Sequence, residues 1–185
     1  MSEEADVGER ADRRTEIVRA AFDQLARGGF EGLRLRQIAE DVGIDHSTLH
    51  HHFPGKQDII AEVARYTIGR FAVAPAEGAT ESLRTYLTHL RDLLADAPEV
   101  FVVTAELDLR ARRDPAVRAV LERHEANWRR WLRELLGAGM KSGAWSAHVD
   151  PDEAVELVIA VVKGVQLTPN TAATAFAQLE KLLYK

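Results

Sequence analysis

The 185-residue chain contains no cysteine. That excludes a disulfide framework, thiolate zinc sites and a cysteine nucleophile. An excess of positive charge is missing too. Lys and Arg number 24 against 29 Asp and Glu, a formal charge of −5 with an isoelectric point near 5.8. This balance argues against coating nucleic acid or an anionic membrane electrostatically, and leaves room for DNA contact through a small patch. Long hydrophobic runs are absent: the longest apolar stretch, 154–165, includes Glu156 and Lys163 and is too short and too polar to span a bilayer. The first residues carry four acids before the first arginine and no apolar core of a secretory leader. A cytoplasmic protein with no membrane association is expected. Strand-like alternation, internal repeats and low-complexity segments are also missing.

What is there is helical periodicity in a chain that is 46% apolar and 29% charged, the balance of a globular protein. Val18, Ala21, Phe22 and Leu25 form an i, i+3, i+4, i+7 stripe that Gly28-Gly29 stops. Leu35, Ile38, Ala39 and Val42 repeat it in a shorter helix ended by Gly43. Asp45 caps a third helix that runs towards Phe53, and Pro54-Gly55 breaks it. A fourth helix starts at Lys56 and runs to about Phe71. Five more follow, at about 80–96, 99–112, 115–141 and 151–167, with a last one bearing Ala172 to Leu183. Asp114-Pro115 and Asp150-Pro151 each place a cap before a proline in the first turn. The fold class is therefore all-α with about nine helices. A domain boundary is expected near Lys56 to Thr80.

Residues 35–50 fit a helix-turn-helix on physical grounds. A short helix presents an apolar stripe, Gly43 permits a left-handed turn, and Ile44 and Leu49 bury the second helix against the first. His46, Ser47, Thr48, His50 and His51 are left facing outwards, as groups that read base edges and phosphate oxygens. A plain helical hairpin with a polar surface fits the same spacing. His46 and His50 are i, i+4, a spacing that can chelate a divalent ion. No Cys, Asp or Glu completes a set on that face, so no metal and no cofactor is expected.

The run Gly29-Phe30, then 35–40 (LRQIAE), then Val42-Gly43-Ile44, then 48–56 (TLHHHFPGK), resembles the TetR family of bacterial transcriptional regulators. The motif-level likeness covers about residues 12–72, and the number and length of helices extend it over the chain. The resemblance implies a DNA-binding domain at 10–72, with the helix-turn-helix at about 34–53. It implies an effector-binding and dimerisation domain at 73–185. By position, His46, Ser47 and Thr48 would begin the recognition helix, and Arg36 would reach DNA. Lys56 would meet a phosphate at the start of the fourth helix. His50 stands where the family usually has a phosphate-contacting tyrosine, and Arg34 where a Ser or Thr would cap the second helix. Histidine changes charge between about pH 5 and pH 8, so operator affinity is expected to rise from about pH 8 to pH 6.

The eighth helix is apolar nearly all round, which demands burial on more than one face. It is either central in a monomeric bundle or part of an interface. The resemblance implies the second, with Val155, Val158, Val162 and Val165 pairing with Phe176, Leu179 and Leu183 of the last helix about a two-fold axis. By the same analogy Phe71, Tyr86, His89, Phe101, Thr104, Trp128, Trp131 and Gln166 would line a pocket for a small effector of unspecified identity. Aromatic residues at helical spacing also serve as plain core.

No catalytic motif is present. Gly137, Gly139 and Gly143 miss the dinucleotide fingerprint, because Ser142 replaces the third glycine and no strand precedes them. They read as the frayed end of the long helix and its loop. No catalytic residue is assigned. The expectation is a homodimeric DNA-binding regulator, a repressor released from a palindromic operator by a small molecule. The rival is a small-molecule-binding helical protein that does not act on DNA.

Overall fold

The computed structural model describes residues 2–72, 79–143, 145, 146 and 148–184. Nine α-helices run through the described residues: α1 (Ser2–Gly32), α2 (Leu35–Val42), α3 (His46–His52), α4 (Lys56–Gly69), α5 (Ala79–Asp96), α6 (Glu99–Ala111), α7 (Pro115–Ser142), α8 (Pro151–Leu167) and α9 (Ala172–Leu183), with one 3-10 turn at Pro169–Thr171. The only strand-like pairing among them is an isolated antiparallel bridge between Trp145 and Tyr184. The expected stop at Gly28-Gly29 is a break within α1: Gly29 leaves the helical region at φ 57° and one more turn follows.

The chain packs into two compact units. The first takes residues 1–70 and 102–121, the second 71–101 and 122–185. Part of α6 and the start of α7 pack with the N-terminal helices.

In the first unit the expected stripe of α1 is buried. Ile17, Val18, Ala21, Phe22 and Leu25 form the core with Ile38, Ala39, Leu49, Phe53, Ile59, Ile60 and Val63. Phe22 meets Tyr66 edge-on at 5.4 Å between centroids. Asp114 caps α7 by accepting from the Ala116 and Val117 amides, and Arg110 pairs with its other oxygen at 3.2 Å. These hydrogen bonds overcome the opposing effect of burial and leave the carboxyl below its ordinary pKa.

In the second unit α8 buries Ala154, Val155, Val158, Ile159, Val162 and Val165, and α9 buries Ala172, Phe176, Leu179 and Leu183. These share one apolar core with Leu83, Leu87, Leu90, Leu132, Leu136 and Trp145. The seven residues expected to form a two-fold interface all lie in this core. Val155, Val158, Val162, Val165, Phe176, Leu179 and Leu183 are each no more than 2% exposed within the single chain. They satisfy their burial inside the unit and leave no surface for a second copy. Polar pairs lace α7 to α8 at the rim of this core: Arg129 to Glu156 at 2.8 Å, Arg133 to Asp152 at 2.7 Å and Lys163 to Glu125 at 3.4 Å.

The α7–α8 turn supplies a core residue that periodicity did not reveal. Trp145 is 1% exposed. It donates from Nε1 to the Leu136 carbonyl at 2.8 Å and stacks on Tyr184 at 5.0 Å. Gly139 is not in a frayed end but inside α7, and a Cβ there would lie 1.7 Å from Trp145 Nε1. The glycine is the space the indole occupies.

Candidate nucleic-acid interface

The helix pair at 35–52 is assembled from caps, because neither helix is long enough to hold itself. At the end of α2, Gly43 adopts φ 72°, ψ 33°. The Gly43 amide bonds to the Glu40 carbonyl and the Ile44 amide to the Ala39 carbonyl at 2.9 Å. This is a Schellman ending, which only a residue tolerant of the left-handed region closes without strain. Two residues on, Asp45 caps α3 and accepts from the Thr48 amide at 2.8 Å. Leu49 is fully buried between the helices.

α1 completes the frame. Arg34 makes no side-chain cap for α2, as its identity suggested. Instead Gln24 takes the Arg34 amide on Oε1 at 3.0 Å and donates Nε2 to Asp41 at 3.1 Å. Asp41 also accepts from Gln37, the larger cause of its lowered pKa. Sequence reasoning missed Gln24, although it was detectable as a polar residue seven positions after Ile17 on an apolar stripe. Arg14 clasps the far end of α3, donating to the His52 carbonyl and covering the Phe53 ring at 4.1 Å.

The expected DNA-facing residues fall into two groups. Exposed His46, His50 and His51 lie on α3, with the His46 and His50 rings 4.5 Å apart. The others already have partners. Ser47 Oγ and Thr48 Oγ1 both reach the Asp45 carboxylate, at 2.5 and 2.9 Å. Those bonds, Ser47 first, hold Asp45 well below the usual carboxylate range. Arg36 pairs with Glu40 at 3.2 Å on open surface. Lys56 is half-buried, donates Nζ to the Leu33 carbonyl at 2.9 Å and has its pKa lowered, first by burial and then by Arg34 and Arg110. No group of three or more metal-capable side chains exists among the described residues.

Of the expected effector-site residues, Tyr86, Trp128 and Trp131 come together in the second unit. Tyr86 meets the two indoles edge-on at 6.4 and 5.1 Å. Burial pushes the Tyr86 phenol well above its ordinary pKa, opposed by the Trp128 indole. Trp128 Nε1 is shielded from solvent and meets no acceptor at hydrogen-bonding geometry. His124, not anticipated from the sequence, stacks on Trp128 at 6.3 Å, and burial lowers its pKa. Phe71 and Phe101 form a separate edge-on pair at 5.4 Å. His89 and Gln166 are half-buried in the same unit, whereas Thr104 belongs to the other.

A Schellman turn between two short helices, the second capped and exposing a polar face, defines a helix-turn-helix module. Residues 17–63 match the model for bacterial regulatory proteins of the tetR family, and residues 79–182 match that for the BetI-type transcriptional repressor C-terminal domain. The chain belongs to the TetR family. The HTH-type transcriptional repressor AcnR of Corynebacterium diphtheriae is 30% identical over 128 residues, covering 62% of this chain and 65% of that repressor. The matched stretch is thus just under two thirds of the relative's length. AcnR of Corynebacterium jeikeium is 24% identical over 156 residues, 84% of this chain and 80% of that one. A TetR transcription regulator from Haloarcula marismortui has the same fold at TM-score 0.83 and 19% identity, over 94% of this chain and 99% of that one. No helix among the described residues is long and apolar enough to cross a membrane.

Proposed function

We propose that the protein is a cytoplasmic, homodimeric repressor that binds a palindromic operator through α3 and releases it on binding a small effector. The observation that carries this is the α2–turn–α3 module, with exposed His46, Ser47 and His50 on a helix of the dimensions of a major groove. On this reading His46, Ser47, Thr48, His50 and His51 meet DNA, with Arg36 and Lys56 at the backbone. Functionally, residues 10–72 act on DNA, and 73–185 carry the effector site and the dimer face.

The dimer face is the outer side of α8 and α9, not the buried side. Leu157, Leu167 and Leu182 are 40%, 75% and 44% exposed. Leu157, Ala160, Gly164 and Leu167 form one exposed stripe whose small residues admit a close second helix. The effector site centres on Tyr86, Trp128 and Trp131, where the shielded Trp128 indole lies beside the Tyr86 phenol. α4 is the lever between the two activities. Its Gln57 amide fits with nitrogen on Asp114 at 2.7 Å and oxygen on Arg110 at 3.1 Å, so the helix that follows the recognition helix starts on the α6–α7 junction. An effector need only favour one spacing of the two recognition helices by about 1–3 kcal/mol to change occupancy.

The test is retardation of a random duplex pool by the full chain, followed by sequencing. Enrichment of a two-fold-symmetric sequence is expected, and Lys56→Ala should lower the salt slope by about 0.9. A chain that retards no DNA would instead fit the rival, a small-molecule-binding protein with no operator.

A further inference from the structure

Intramolecular partners already decide where the hydrogen atoms of three α3 groups point. The hydrogen bonds that hold the Asp45 carboxyl low keep it ionised, and an ionised carboxylate only accepts. Ser47 Oγ, 2.5 Å from Asp45 Oδ1, and Thr48 Oγ1, 2.9 Å from Oδ2, must therefore both spend their hydrogen inwards. Each hydroxyl has only lone pairs left for anything outside.

A second, separate contact acts the same way further along the helix. His50 Nδ1 is 3.2 Å from the Pro54 carbonyl oxygen. A carbonyl cannot donate, so Nδ1 carries the hydrogen, and Nε2 of the neutral ring is a bare acceptor. Ser47 and His50 are exposed and Thr48 is half-exposed.

We propose, resting on the DNA-binding reading above, that Ser47, Thr48 and neutral His50 form an acceptor-only recognition surface selecting exocyclic amino groups, cytosine N4 or adenine N6, in the major groove. Guanine presents O6 and N7 and thymine presents O4, all acceptors, so lone pairs would face lone pairs at those bases. Phosphate oxygens are excluded for the same reason. His50 thus reads a base at the position where the family resemblance implied a phosphate contact. His46 and His51 are outside this statement, because nothing fixes which ring nitrogen carries their hydrogen.

The experiment uses the full chain at pH 8 and fixed salt. A random duplex pool is selected and sequenced. Each enriched adenine is then replaced by purine, which lacks N6, and each enriched cytosine by 2-pyrimidinone, which lacks N4. Loss of the correct amino group should weaken binding about 5- to 150-fold. Ser47→Ala or Thr48→Val should abolish that sensitivity at its own position. Asp45→Asn provides the control for folding, since Asn caps helices as well as Asp. Its amide can donate to one hydroxyl and release that hydrogen outwards, so guanine or thymine should become acceptable there, while circular dichroism stays unchanged. The proposal is overturned if positions sensitive to Ser47, Thr48 or His50 substitution carry guanine or thymine in the wild-type site. It is equally overturned if every amino-group deletion leaves binding within about twofold. Either result leaves a DNA-binding protein. A pool with no enrichment overturns the DNA-binding reading itself, and this proposal with it.

Discussion

Gly43 and Gly139 are both places that favour glycine, for opposite reasons. At Gly43 a Cβ would meet nothing within 4 Å, and the constraint is the positive φ of the turn. At Gly139 the backbone is helical, and the constraint is the Trp145 indole. The contrast extends to the regions around them. The helix-turn-helix holds an eight-residue and a seven-residue helix together with caps and polar clasps. The C-terminal unit holds long helices by filling a volume. The first depends on backbone geometry and hydrogen bonds, the second on shape.

The largest effect should come from emptying that volume. Trp145→Ala is expected to cost about 3–5 kcal/mol in chemical denaturation. Gly139→Ala should cost about 1–3 kcal/mol by overpacking. In a Trp145→Ala background the same change should turn neutral or stabilising, since alanine favours a helix over glycine by about 1 kcal/mol. A Gly139 penalty that survives the loss of Trp145 would break the comparison. Gly43→Ala comes next at about 1–2 kcal/mol, from the left-handed backbone alone, and no second substitution should relieve it.

Asp45→Ala should destabilise less than Gly43→Ala, and its pH signature has a definite sign. The folded carboxyl titrates below its unfolded value. Its contribution is therefore complete above about pH 4 and fades as pH falls further. A wild-type advantage over Asp45→Ala that persists undiminished to pH 2 would contradict the cap. Arg36→Ala should be smallest, less than about 0.5 kcal/mol, because the Arg36–Glu40 pair is open to solvent.

Much of the fold was legible because its boundaries are written in cap chemistry. Gly43, Asp45, Asp114-Pro115 and Asp150-Pro151 each end or start a helix where local preference puts them. The burial direction of α8 was not legible: a helix apolar on nearly every side carries no record of which face meets its own chain. Trp145 escaped because it lies in a turn, where no periodicity announces burial. At the candidate interface the bonding of the side chains was not legible. Nothing in a Ser-Thr pair after Asp45 states that both hydroxyls turn back onto the cap, and Gln24 reaches Arg34 across ten positions.

The membership of 102–121 in the first unit bears on how the protein could be recombined with its relatives. A graft of operator preference onto another member of the fold, joined at residue 72, would transplant the reading helices without Arg110 and Asp114, the partners of Gln57. The exchangeable piece is discontinuous in sequence. A chimera that keeps the packing of the first unit carries the stretch from 102 to 121 along with the first 70 residues.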